Sequence, residues 1–163
     1  MSRPPNEKAA GEPGSSTIMV IEPEILVRMV IADYLRDCGY KVIEGISAED
    51  VFLVLRAGGT VDIILAEVRL PGAVDGFSLA SQIRRDHPEI DIILTSGVAN
   101  AADKAGDLCD DGPLPKPYHP REVVRRINIL RERRRSSKKR RRTSKKPTER
   151  GNRGGHYRTI AGS

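Results

Sequence analysis

Between Thr17 and Leu130, short β-branched apolar runs alternate with stretches whose apolar residues recur at helical spacing, and few folds accommodate that rhythm. Ile18-Met19-Val20-Ile21 is too short for a buried helix and reads as a strand. Pro23 follows, where a first helical turn tolerates proline. Leu26, Met29, Val30 and Ile31 then recur as a helical stripe until Gly39 ends the helix. Tyr40 to Ile43 is a second short strand. Ser47-Ala48-Glu49-Asp50 has the form of a capping box, opening a helix to about Arg56. Val61 to Ala66 (VDIILA) is a near-continuous apolar strand, as a parallel sheet covered on both faces requires. Phe77, Leu79, Ala80 and Ile83 form the next stripe, stopped at His87-Pro88. Ile90 to Leu94 gives a fourth strand, Asn100–Gly106 a weak fourth helix and Leu114 a very short fifth strand. Pro120 opens a last helix with Val123, Val124, Ile127 and Leu130 facing inward. Five strands alternating with five helices predict an α/β fold with a doubly wound, five-stranded parallel sheet.

In such sheets the functional crevice lies beyond the carboxyl ends of the strands. That rule selects Glu22, Glu67, Ser96 and Lys116, each just after a strand. Taken singly, each has an ordinary reading: two solvated carboxylates, a Ser-Gly turn, and a loop lysine between Pro115 and Pro117. Their joint placement after four strands is what singles them out.

Charge divides the chain. Residues 1–130 carry 14 Lys or Arg against 20 Asp or Glu (14 − 20 = −6), and residues 131–163 carry 14 against 2 (14 − 2 = +12). An acidic domain, 17–130, is therefore expected between a Gly/Pro/Ser-rich lead, 1–16, and a basic tail, 131–163. The lead and tail lack the apolar residues of a core and are expected to be disordered, with the last helix extending a turn or two into Arg133–Arg135. Arg133, Arg134, Arg135, Lys138, Lys139, Arg140, Arg141, Arg142, Lys145 and Lys146 form a polyanion-binding candidate. With Tyr157 the tail's only aromatic, contact with nucleic acid would be non-specific. Solvation, or contact with the chain's own acidic domain, is the competing reading. Cys38 and Cys109 read as free thiols of a reducing compartment. The start lacks a secretory apolar stretch and no run reaches the roughly 20 residues that span a bilayer, so a cytoplasmic protein without membrane contact is expected.

The order strand–acid, strand–acid, strand–Ser, strand–Lys-Pro resembles the response-regulator receiver domain of two-component signalling. The fragments VIEPEILVR, DIILAEVRLPGAVDGFSLA, IILTSG and PLPKPYHPREVVRRI carry the resemblance, from about Thr17 to Leu130. It implies a flavodoxin-like fold and a pocket in which acids after the first and third strands hold magnesium. The acid after the third strand accepts a phosphoryl group from a histidine kinase, and a hydroxyl and a lysine contact its oxygens. Mapped onto this chain, Glu22 and Pro23 take the acid pair, Glu67 the phosphoacceptor position, and Ser96 and Lys116 the phosphoryl contacts.

Three departures follow. Pro23 offers no metal ligand, so magnesium held by Glu22 and Glu67 would be weak. Glu67 is one methylene longer than aspartate, and Pro113 stands where a switch aromatic is usual. Ordinary phosphorylation is therefore not expected, and a relic site and a phosphorylation-independent working site both stay open.

The resemblance implies a protein partner, a histidine kinase or a downstream effector. Docking would use the face of the fourth and fifth helices and the fifth strand, where Asp103, Asp107, Asp110 and Asp111 crowd together as a recognition surface or a mobile acidic loop. Tyr118 and His119 are candidate exposed recognition residues, His119 also fitting the start of the last helix. No histidine pair has zinc-ligand spacing, and no nucleophile–base pair or Gly-rich phosphate loop suggests an enzyme. The expectation is an atypical single-domain response regulator acting by protein contact. The rival is a non-specific polyanion-binding protein whose folded domain is a carrier.

Overall fold

The computed structural model describes residues 16–97 and 112–144. Its elements run β1 (Thr17–Ile21), α1 (Ile25–Asp37), β2 (Lys41–Gly45), α2 (Ala48–Arg56), β3 (Ile63–Glu67), α3 (Gly76–Asp86), β4 (Asp91–Ser96), β5 (Leu114–Pro115) and α4 (Pro120–Ser144). The strands form one sheet in the order β2-β1-β3-β4-β5, and every pairing is parallel. The chain divides into two units, Met1–Leu130 and Arg131–Ser163.

Because strand side chains alternate in direction, each central strand feeds two cores. Met19, Ile21, Ile64 and Ala66 pack with Val51 of α2 and Leu79 and Ile83 of α3. Ile18, Val20, Ile63 and Leu65 pack on the other face with Ile31 and Leu35 of α1 and Val123 and Ile127 of α4. Every residue of β1 and β3 is buried, which is why both segments are almost wholly apolar.

Helix ends are set by local chemistry. The α1 terminus closes as a Schellman turn: Tyr40 N–H donates to Leu35 O at 3.1 Å and Gly39 N–H to Arg36 O at 2.9 Å. Gly39 has φ 90°, a conformation that favours glycine. Ahead of α2, the Asp50 carboxylate accepts from the backbone N–H groups of Ile46 (2.8 Å) and Ser47 (3.1 Å). Ahead of α3, Asp75 Oδ1 accepts from Ser78 N–H at 2.7 Å. A Cβ on Gly76 would collide with the Glu67 carbonyl oxygen and lie 2.8 Å from Val68 Cα. The pair Asp75-Gly76 thus starts α3 and lets it approach the end of β3.

Three expectations change. Leu26, Met29 and Val30 do not line the core: Leu26 is 68% and Val30 62% exposed, and α1 buries Ile31, Ala32 and Leu35 instead. So many positions of ILVRMVIADYL are apolar that periodicity alone leaves the helix's rotation undetermined. Four helices rather than five are found among the described residues, and the expected helix at Asn100–Gly106 lies outside them. The last helix does not fray after Arg135 but continues to Ser144. Arg and Lys are good helix formers, and neither Gly nor Pro interrupts residues 121–146. The lead 1–15, the four aspartates from Asp103 to Asp111, Cys109, Lys145, Lys146 and Tyr157 lie outside the described residues.

Three expected outcomes test this packing by urea denaturation. Gly76→Ala should cost about 1–3 kcal/mol through overpacking. Ile31→Ala should cost about 2–5 kcal/mol by opening a cavity, whereas Leu26→Gln should stay within about 0.5 kcal/mol of the parent.

Candidate functional site

Strand register brings the four candidates to one end of the sheet. Ile21 pairs with Ala66, so Glu22, just past β1, stands beside Glu67, the last residue of β3. Glu67 in turn pairs with Thr95, and Ser96 with Pro115, which delivers Lys116 immediately beyond. Lys116 N–H donates to Ser96 O at 2.8 Å, and the Lys116–Pro117 peptide bond is cis.

Two carboxylates so placed repel each other and lose hydration, since Glu22 is 4% and Glu67 6% exposed. Lys116 resolves both costs. Its Nζ lies 2.5 Å from Glu22 Oε2 and 2.6 Å from Glu67 Oε2. The remaining oxygens are satisfied by the chain itself: Glu22 Oε1 accepts from Glu24 N–H at 3.0 Å, and Glu67 Oε1 from Arg69 N–H at 3.1 Å. Each glutamate is therefore tied to its own following loop at one oxygen and to Lys116 at the other. Among the described residues no buried side-chain polar atom lacks a partner. Burial works against the charge on Lys116, but hydrogen bonds and attraction from Glu22 and Glu67 outweigh it and raise its pKa above the ordinary value.

Around this trio, sequence reasoning missed Arg28 and gave Tyr118 the wrong setting. Arg28 on α1 donates from Nη1 to Glu22 O at 2.6 Å, while its Nε lies 3.5 Å from Glu44 Oε2. Its signal was an isolated arginine within the apolar start of α1. Tyr118 is not an exposed recognition residue: it is half-buried against the core face of α1 and α4. Burial, with Glu22 and Glu67 nearby, pushes its hydroxyl up to about 12, against the opposing influence of Lys116 and a hydrogen bond with Thr95. His119 is exposed and sits at the start of α4, its Nδ1 accepting from Arg121 N–H at 3.1 Å. Ser96 is buried at the end of β4. Of the basic candidates, Arg133, Arg135, Lys138, Lys139 and Arg140 are exposed on α4, and Arg134 is half-buried.

The magnesium ion that the receiver resemblance implies needs several hard oxygens in near-octahedral array. The crevice supplies two carboxylates, each with one oxygen held by a backbone amide and the other by an ammonium. Pro23 adds no side-chain oxygen, and no cluster of three or more His, Cys, Asp or Glu among the described residues could hold a metal. As they stand, these residues do not fit the ion. Among the described residues, no helix is long and apolar enough to cross a membrane.

Comparison with known proteins agrees with this architecture. The chain is 34% identical over 131 residues to the sensor kinase CckA of Brucella abortus, covering 78% of this chain and 14% of the kinase. It is 32% identical over 118 residues to the transcriptional regulatory protein BaeR of Escherichia coli, covering 71% of this chain and 48% of BaeR. The chain thus matches half or less of these relatives' length. Similar solved structures include a CheY-like receiver domain protein from Methanospirillum hungatei (TM-score 0.67, 17% identity, 76% of this chain and 98% of that one). Another is a receiver protein from Sinorhizobium medicae (TM-score 0.65, 22% identity, 72% and 94%). The profile of the response regulator receiver domain matches residues 18–128, and the chain belongs to that family, with its flavodoxin-like fold.

Proposed function

We propose that this receiver works in two-component signalling by contact with another protein, without ordinary aspartyl phosphorylation. The observation that carries the reading is the ammonium of Lys116 seated between Glu22 and Glu67. Glu67 takes the phosphoacceptor position, and its extra methylene carries the carboxylate onward to meet Lys116. A displacement on the order of 1 Å at a reacting atom can cost roughly a hundredfold in rate. Pro23 removes a magnesium ligand, and without the metal a transferring phosphoryl group would meet two buried carboxylates. In this reading Glu67 is a standing negative charge, neutralised from within, and the module holds near one conformation. The proposed partner is a histidine kinase or a downstream effector. Ile25, Leu26, Met29 and Val30, exposed together on α1, support contact with a protein surface.

A second reading concerns the basic segment. The continuation of α4 to Ser144, with exposed Arg133, Arg135 and Lys138, supports polyanion contact alongside the receiver's role.

Incubation with acetyl phosphate and magnesium, followed by intact mass, is expected to show no adduct. A gain in mass abolished by Glu67→Gln would overturn the reading. The lock itself is tested by composition. Lys116→Met should cost about 3–5 kcal/mol in urea denaturation, because it strands two buried carboxylates. Pro23→Asp with Glu67→Asp should gain magnesium binding in calorimetry, with little in the parent at millimolar metal. A folded double variant that binds no better than the parent would remove Glu22 and Glu67 from the acid-pocket assignment.

A further inference from the structure

The second half of α4 has a composition that nothing in the receiver's chemistry uses. Residues 131–144 carry nine Lys or Arg and one Glu (9 − 1 = +8), and no apolar residue. They are nonetheless helical, in one element with the core-forming Val123 and Ile127. Cations at i and i+4, such as Arg131 with Arg135 and Arg135 with Lys139, repel one another along a helix. A dense polyanion neutralises those cations and offsets the repulsion, and release of its condensed counterions favours the complex.

Placement of the cations decides which polyanion. At 3.6 residues per turn the cations surround the helix: Arg131, Arg135 and Lys138 share one face, Arg133 and Arg140 the opposite one, and Arg134 and Lys139 fall on the sides between. A flat anionic surface engages one face of a helix. A groove walled by phosphates on both sides engages two. The major groove of B-form DNA is about 12 Å wide and admits a single helix about 10–12 Å across. A helix that inserts into a lipid surface buries an apolar face, which residues 131–144 lack, leaving an anionic membrane with charge attraction alone. A single strand is held largely by stacking on aromatic side chains, which the segment also lacks. Resting on the polyanion reading above, we propose that residues 131–144 form a duplex-DNA-binding helix. It lies in the major groove and is held by phosphates of both strands without regard to base sequence. Arg133 and Arg140 face one wall, and Arg131, Arg135 and Lys138 the other.

The 163-residue chain is titrated by fluorescence anisotropy against a short labelled duplex, the corresponding single strand, heparin and phosphatidylserine vesicles. The duplex is expected to bind more tightly than the strand or the vesicles, with affinity falling steeply between about 50 and 200 mM salt. Two variants divide the faces: Arg131→Gln/Arg135→Gln/Lys138→Gln, and Arg133→Gln/Arg140→Gln. Glutamine keeps helix propensity, so circular dichroism should be unchanged. Each variant should weaken duplex binding, lowering the slope of log affinity against log salt by about 3 and about 2 respectively. An effect confined to one variant, or equal binding to vesicles or single strand, would overturn the groove assignment. Heparin binding without duplex binding would overturn it while leaving the broader polyanion reading intact. None of these outcomes bears on the phosphorylation reading, which the mass measurement decides.

Discussion

Two like charges on neighbouring strands, both shielded from water, are tolerable only with a counter-charge between them, and Lys116 supplies it. The requirement reaches back through the architecture. The ammonium must arrive from beyond β5, so β4 has to separate β3 from β5 in the register observed. Lys116 N–H is held to Ser96 O, and each glutamate is braced by an amide two residues onward. Arg28 holds the backbone at Glu22, and Gly76 lets α3 approach the backbone at Glu67. The trio has a formal net charge of −1, and every carboxylate oxygen in it has a partner within the chain.

Much of this was legible in the sequence because the determinants are local. VDIILA could hardly be anything but a doubly buried strand, and Gly39, Ser47 to Asp50 and His87-Pro88 mark helix ends by chemistry confined to a few residues. The crevice residues were found because the ends of parallel strands are a topological address rather than a matter of side-chain detail. The apolar start of α1 was misread for the opposite reason. Ile25, Leu26, Met29, Val30 and Ile31 offer more apolar positions than one face can bury, and only tertiary packing chose Ile31 with Leu35. Arg28 was missed, and Tyr118 was taken for an exposed residue, because their roles depend on residues far along the chain. Glu44 is sixteen positions from Arg28 (44 − 28), and Thr95 twenty-three from Tyr118 (118 − 95).

The two halves of α4 follow different physics within one run of helical hydrogen bonds. Before Leu130 the helix is held by burial, with Val123 and Ile127 inaccessible to water. Beyond it no apolar residue is available for burial, helix propensity favours the helix, and repulsion between cations opposes it. The helix therefore has one end anchored by packing and another that no core holds. A turn-residue reading of the sequence could not separate them, since neither half contains a breaker.

The span of the ion pairs has a kinetic meaning. Lys116 lies 94 positions from Glu22 (116 − 22) and 49 from Glu67 (116 − 67). Their encounter requires β1, β3, β4 and β5 all to be docked. Contacts that close such long loops are slow to form and belong late on the folding route. An interaction absent from the transition state leaves the refolding rate nearly untouched and acts on the rate of escape from the native basin. The charge trio is then less an organiser of folding than a latch on the finished sheet, setting how long the domain, once assembled, stays closed.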